Sequence, residues 1–314
     1  MRKYDLSIVI TTYNRKEFLL EAIKSIENQN FKNYEIIVID DHSNDGTREL
    51  FKYQDEIKYL YCDNHNGPSV NRKKGLEIAQ GEFIIFMDDD DFYTDNDFFE
   101  NGIKILRNNQ DIAFLSANAN LYISEAKEIQ KGTQLEFKGK IESIKYLELF
   151  QSKIVKPYST FTTIFRKKLI LNNGISEIKM FNDSSIYINV LYYSDYVFFM
   201  RDIIGCYRIH NSNISRRIEY SFIKDNIEEK INIYYKLKVT NTKFNNLTWF
   251  FEQLKVTCDY YVYGSFPSLS DVKELYKWLK NIDSDFDILE LRKLFIRYCF
   301  TIIKEKFIYM LGDK

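Results

Sequence analysis

Through the first third of the chain, apolar runs alternate with amphipathic stretches. Residues 6–10, 34–39, 57–61 and 83–87 predict strands, and their largely unbroken apolar character predicts burial on both faces. Between the first two, Phe18, Leu19, Ala22, Ile23 and Ile26 recur at helical period. Asn14, with Glu17 three residues on, predicts a capping box at the start of that helix. Residues 43–46 predict a turn followed by a short helix through Leu50 and Phe51. Asn66, Gly67 and Pro68 predict a turn opening a helix to Ala79, closed by Gly81. Strands separated by helices predict a parallel sheet covered on both faces, an α/β fold.

The pattern then loosens. Residues 112–123, 159–165 and 203–209 predict strands, and 141–150 and 183–193 predict helices. From about Glu219 the period is helical to the end, with a turn at residues 264–267. This division predicts an α/β domain over residues 1–217 and a helical region over 218–314. A chain of 314 residues has room for one large domain with such an appendage.

Composition narrows the classes. Aromatics are 16% of residues and Pro only 3, which supplies a core and argues against long disordered tails. A formal net charge of −1 offers no global field for nucleic acid. Cys62, Cys206, Cys258 and Cys299 have no metal-ligand spacing and read as reduced thiols, predicting a cytoplasmic protein. The apolar stretch near the N-terminus is too short for a signal peptide, and no run approaches the ~18–20 residues of a membrane span.

The chemistry gathers at the strand ends. In a parallel sheet, ligands bind beyond the carboxyl ends of the strands. Here those ends read Thr11-Thr12-Tyr13, Asp40-Asp41 and Asp88-Asp89-Asp90-Asp91. Four carboxylates behind a fully apolar strand repel one another, and burying one unpaired costs several kcal/mol or shifts its pKa. The pattern therefore predicts a divalent cation with a phosphate-bearing ligand.

Residues 7–15, Gln29 with 34–47, Asn66-Gly67, Arg72, Gly75, Ala79, Gly81-Glu82, the run 88–91 and residues 207–215 together resemble the family 2 glycosyltransferases. The resemblance covers roughly residues 5–215. It implies a GT-A fold, a Rossmann-like mostly parallel sheet flanked by helices, and an inverting, metal-dependent enzyme with a nucleotide-sugar donor. By the same resemblance, Thr11 and Tyr13 line a uridine pocket and Asp40 accepts the imide N–H of uracil, which implies a UDP-sugar. Asp88 or Asp89 holds the ribose, and Asp90 of the D-x-D motif binds Mn²⁺ or Mg²⁺. If strand alternation continues through the run, Asp88 and Asp90 share a direction.

Arg72 is the implied diphosphate contact. His210 is the implied second metal ligand or phosphate contact, while His42 and His65 read as turn-surface residues. The family commonly shows Glu-Asp where this chain has Asn182-Asp183. Asp183 is therefore the implied general base, Asn182 a sugar contact, and Asp195 and Asp202 the alternatives. A competing reading of Asp183 is a helix cap.

The implied acceptor is a glycan, glycolipid or glycoprotein hydroxyl of bacterial surface polysaccharide biosynthesis. Two other functions compete. One is a non-catalytic sugar-nucleotide- or glycan-binding subunit, which Asn182 in place of an acid keeps open. The other is a nucleotidyltransferase, disfavoured because residues 11–15 lack the glycine-rich loop a triphosphate needs. Over residues 290–314, Lys293, Arg297, Thr301, Lys304 and Glu305 share one helical face, and Leu291, Leu294, Phe295, Tyr298 and Ile302 the other. This predicts either peripheral contact with the inner face of the plasma membrane or packing on the catalytic domain or a second subunit of a homo-oligomer.

Overall fold

Seven buried residues in succession, Leu6–Thr12, form β1 in the middle of the parallel half of the sheet. The computed structural model describes residues 4–52, 56–210, 220–240, 244–265, 267–282, 286 and 288–312, with 288 and 305–312 as backbone alone. After β1 come α1 (Lys16–Glu27), β2 (Tyr34–Asp40), α2 (Thr47–Leu50), β3 (Ile57–Tyr61), α3 (Pro68–Ile78), β4 (Phe83–Asp88), β5 (Phe92–Tyr93) and α4 (Phe98–Asn108). The middle contributes β6 (Ile112–Ile123), β7 (Glu128–Gln130), β8 (Gly139–Glu142), α5 (Ser143–Leu149), β9 (Thr163–Arg166), α6 (Lys167–Asn172), α7 (Asp183–Tyr192) and β10 (Tyr196–Ile209).

The sheet runs β3-β2-β1-β4-β9-β6-β10-β5, with β7 on β6 and β8 on β10. The first four strands are parallel as expected, whereas β9 lies antiparallel between β4 and β6. Register aligns the ends that matter: Thr11 pairs with Asp88 and Thr12 with Asp40. The three polar strand ends therefore share one edge. Helix α3 lies close on β1 because Gly75 has no side chain; a Cβ there would meet Val9 Cγ1 at 2.2 Å. That approach carries Arg72, one turn earlier, to the end of the sheet.

Several local expectations are corrected. Asn14 is not the cap of α1: it sits at φ 52°, and Arg15 is the cap residue without a side-chain cap bond. The Lys16 N–H is met instead by Asp45 Oδ2 (2.9 Å) from the loop after β2, while Asn14 Oδ1 accepts the Asn44 N–H (2.8 Å). The strand expected over 159–165 is a 3-10 turn, Thr160–Thr162, followed by the short β9. Strand β10 begins at Tyr196, seven residues before the expected start at 203, because its exposed Arg201 and Asp202 hide the pattern.

The chain divides into two compact units, Met1–Asn211 and Ser212–Lys314. The expected boundary at 217/218 lies outside the described residues, as do 211–215 of the motif that begins at Tyr207. The second unit holds α8 (Tyr220–Thr240), α9 (Asn246–Ser265), α10 (Leu269–Lys280) and α11 (Ile288–Gly312). The apolar face of α11 is spent inside this unit: Leu291, Phe295, Tyr298 and Ile302 are buried, and the Tyr298 hydroxyl donates to Asp259 Oδ1 of α9 (2.8 Å). That face is not the one available to a membrane. Of the other residues in the expected pattern, the side chain of Glu305 lies outside the described residues.

Lys230 is buried between α8 and α9, donating to Thr257 Oγ1 (2.6 Å). Burial strips water from its ammonium and lowers its pKa from 10.5 to about 8. Between those two values the unfolded chain holds a proton that the folded chain has released, so this site's contribution to stability rises with pH. The penalty is full below about pH 8 and is relieved by 10.5; its size is roughly 3 kcal/mol. Lys230→Met is expected to raise the melting temperature of the full chain at neutral pH and to flatten its rise toward pH 9.5. A melting profile unaltered by the substitution contradicts this.

Candidate active site

The acidic run leaves the sheet at Asp88. Strand β4 ends there, and the chain turns, with the Asp91 N–H donating to the Asp88 carbonyl (3.4 Å). Alternation therefore does not continue through the run, and the turn aims each carboxylate separately. Asp88 Oδ1 accepts from Arg72 Nη2 (2.7 Å). Asp89 accepts from Thr12 Oγ1 (2.7 Å) and Arg15 Nη1 (3.1 Å). Asp90 Oδ2 meets Arg15 Nη1 (2.7 Å) and His210 Nε2 (2.9 Å). Asp91 Oδ1 accepts the Arg208 N–H (3.2 Å), and its buried Oδ2 has no hydrogen-bond partner among the described residues.

The turn remains electrostatically overloaded despite Arg15 and Arg72. Burial, and then the Asp90 charge, push Asp89 up to about 7. Burial raises Asp88 against the opposing pull of Arg72, and burial with the Asp90 and Asp88 charges raises Asp91 well above the usual carboxylate range.

A cation fits this surplus. Among the described residues no three His, Cys, Asp or Glu side chains are grouped as a closed metal site, but Asp90 and His210 offer carboxylate oxygens and one imidazole nitrogen, a pair that Mn²⁺ accepts and Mg²⁺ accepts through its oxygens. Both described contacts of Asp90 fall on Oδ2. The Nε2···Oδ2 pair needs a proton between its atoms, and a bound cation would replace that proton.

Arg208 holds the turn in place. Its guanidinium is packed between the rings of Phe18, Phe92 and Tyr122 at 4.7, 4.9 and 4.7 Å. Its Nε donates to the Asp90 carbonyl (2.8 Å) and its Nη2 pairs with Glu21 Oε2 (2.5 Å). The end of strand β10 thus delivers Arg208, and His210 just beyond it, to the same side of the acidic turn.

At the end of β1, Thr11 is buried and Tyr13 is 44% exposed. Tyr13 lies 4.4 Å from the His65 ring, tilted by 38°. His65 Nδ1 in turn sits 2.7 Å from Asp41 Oδ2. Asp41 also accepts the Asn66 and Gly67 N–H groups (2.7 and 2.9 Å), fixing the loop that opens α3. His65 is exposed on the loop before α3, as expected, and its ring also flanks that of Tyr13. Asp40 is fully buried, accepting the Ser43 N–H (2.8 Å) and the Tyr59 hydroxyl (2.5 Å). A uracil imide would share a carboxylate that already serves those two groups.

At the start of α7, Asn182 is the cap: its Oδ1 accepts the Ser185 N–H (2.9 Å). The cap therefore comes from Asn182 Oδ1, and the Asp183 carboxylate takes no part in it. Asp183 Oδ1 instead accepts from Arg72 Nη1 (2.9 Å) and, at 3.5 Å, from Thr160 Oγ1. Buried Arg72 thus spans Asp88 and Asp183, which are far apart in sequence. Lys156 adds a further positive group: burial lowers its pKa, and the Asp183 charge opposes that shift. The alternatives Asp195 and Asp202 are both exposed beside or on β10.

The family model for glycosyl transferase family 2 matches residues 7–172, more than half of the chain and the whole acidic turn. The chain belongs to this family. It is a glycosyltransferase.

The GalNAc(5)-diNAcBac-PP-undecaprenol beta-1,3-glucosyltransferase of Campylobacter jejuni is 32% identical over 210 residues, 65% of this chain and 64% of that enzyme's length. The cholesterol galactosyltransferase of Borreliella burgdorferi is 40% identical over 94 residues, 29% of this chain and 26% of that one. Among solved structures, S. aureus TarS 1–349 in complex with UDP-GlcNAc matches with a TM-score of 0.72 at 16% identity, over 98% of this chain and 92% of that one. The mannosyltransferase PcManGT of Pyrobaculum calidifontis, in complex with GDP-Man and Mn²⁺, matches with a TM-score of 0.51 at 13% identity, over 96% of this chain and 87% of that one. At these identities the structural likeness is one of fold, the GT-A fold with its helical C-terminal region.

Proposed function

We propose that this glycosyltransferase moves a hexosyl or N-acetylhexosaminyl group from a UDP-sugar to a hydroxyl, with inversion. Asp183 removes the proton of the acceptor hydroxyl. The oxygen attacks the anomeric carbon from the side opposite the nucleotide, the bond to the β-phosphate oxygen breaks, and UDP departs with the electron pair. Thr11, Tyr13 and Asp40 hold the uridine, Asp88 and Asp89 the ribose, and Arg72 the diphosphate. Asp90 and His210 would hold Mn²⁺ or Mg²⁺, which neutralises charge on the leaving diphosphate when bound.

The observation that carries this reading is the Arg72 bridge, 2.7 Å to Asp88 and 2.9 Å to Asp183. One guanidinium touches both the nucleotide side and the base side, so a diphosphate drawn to Arg72 arrives beside the base. Proximity of that kind turns a bimolecular encounter into a positioned reaction. The acceptor we propose is a lipid-linked bacterial surface glycan. It is supported by the undecaprenol-linked acceptor in the name of the Campylobacter relative, and it suits a protein working on the cytoplasmic face of the plasma membrane. Among the described residues no helix is long and apolar enough to cross a membrane.

A donor screen tests the proposal. Nucleotide release should occur from one or more of UDP-glucose, UDP-galactose and their N-acetylamino counterparts in the presence of Mn²⁺. GDP- and CDP-sugars should be turned over at least tenfold more slowly. Equal or faster turnover of GDP-mannose contradicts the uridine assignment.

A further inference from the structure

We infer that the outer face of α11 docks this chain on an anionic lipid surface. The inner face of the helix is buried, yet Leu289, Ile296, Phe300 and Ile303 are 60, 47, 69 and 51% exposed. Their spacing puts all four on one face. Single exposed apolar residues are ordinary, whereas a line of them on one helix face marks a contact surface.

The stripe is flanked by cations. Arg292 lies on one side of it by helical period, and Lys293, Lys304 and Arg297 on the other; all four are exposed. Lys293 is paired with Glu290 (2.6 Å) and Arg297 with Asp259 (3.0 Å), both at exposed positions. Among the described residues, four cations against two anions leave the flanks net positive. Beside Arg297, α9 presents Tyr263, 49% exposed and close enough for the two groups to interact. An apolar stripe, basic flanks and a tyrosine at the margin are the chemistry of a helix lying in a membrane interface.

A second copy of the chain fits the face less well. The exposed area of the four side chains is on the order of 400 Å², about half of the ~800 Å² each partner gives to a stable interface. A two-fold pairing would also bring like-charged flanks together, whereas anionic headgroups meet both flanks favourably. The inference rests on this face alone and stands apart from the donor chemistry, so a failed donor screen leaves it intact.

Flotation of the full chain with vesicles decides it. The protein should float with phosphatidylcholine vesicles carrying about 40% phosphatidylglycerol, stay down with pure phosphatidylcholine, and lose binding several-fold in about 0.5 M salt. Ile296→Ser with Phe300→Ser should cut flotation at least tenfold, as should Arg292→Glu with Lys304→Glu, with wild-type melting and nucleotide release retained. Absence of flotation, or flotation indifferent to both pairs of substitutions, overturns the inference. So does a serine pair that changes the sedimentation coefficient rather than lipid binding, since the face then belongs to a second copy.

Discussion

Asp183→Asn is expected to lower kcat for transfer by about 10²–10⁴-fold, the range a positioned general base supplies. Affinity for UDP should stay nearly unchanged. The substitution keeps an oxygen where Arg72 Nη1 (2.9 Å) and Thr160 Oγ1 (3.5 Å) donate, and it leaves the helix start untouched because the cap is Asn182. What disappears is the carboxylate proposed to take the proton. Asp183→Ala is a harsher test, since it also strips one partner from a buried arginine and should raise KM along with lowering kcat. Normal turnover by the asparagine variant would remove Asp183 from the mechanism.

Chelation should have an effect of similar size. EDTA is expected to stop nucleotide release and Mn²⁺ to restore it. Asp90→Asn should weaken the response to Mn²⁺ by at least about 10–100-fold, the loss that removing even an outer-shell partner of a metal ligand produces. The reason lies in the surplus negative charge of the turn. Arg15 meets both Asp89 and Asp90, and Arg72 meets Asp88, yet burial and mutual repulsion still hold Asp88, Asp89 and Asp91 above the normal carboxylate range. A diphosphate arriving without a cation would add charge to a region already carrying too much. Turnover indifferent to EDTA contradicts the assignment of Asp90.

The parallel half of the fold was legible because its signal is local. Strands β1, β2 and β4 are runs of residues buried on both faces, and a period-two chain with no polar face has little else to be. Their aligned ends followed from the same reading, and register bears it out at Thr11 with Asp88 and Thr12 with Asp40. Errors arose where a distant segment decides. The first turn of α1 is met by Asp45 across a loop, so Asn14 mimicked a cap it does not form. Alternation failed in the acidic run because the chain leaves the sheet at Asp88.

Within the candidate site, the residue types were legible and their pairings were not. Nothing local in Arg72 announces Asp183, and nothing in Arg15 announces the two carboxylates it touches. His65 read correctly as a surface loop residue, but its contacts with Tyr13 and Asp41, from two other strand ends, were not legible. Arg208 lay within the 207–215 stretch of the resemblance, but its role was not legible there. Its three aromatic neighbours come from α1, β5 and β6 and meet only in the folded sheet. In α11 the helical wheel identified the buried face correctly. The exposed stripe needed the positions of α9 and α10 to be seen as a separate face.

The central claim is that the acidic edge binds a nucleoside diphosphate with a cation while Asp183 performs the chemistry. Calorimetric titration of UDP into the wild-type protein and Asp183→Asn, each with Mn²⁺ and each with EDTA, tests it most directly. Both proteins should bind UDP with similar affinity in Mn²⁺, and both should lose at least tenfold in EDTA. Equal affinity with and without the metal, or loss of UDP binding in Asp183→Asn, would contradict the account.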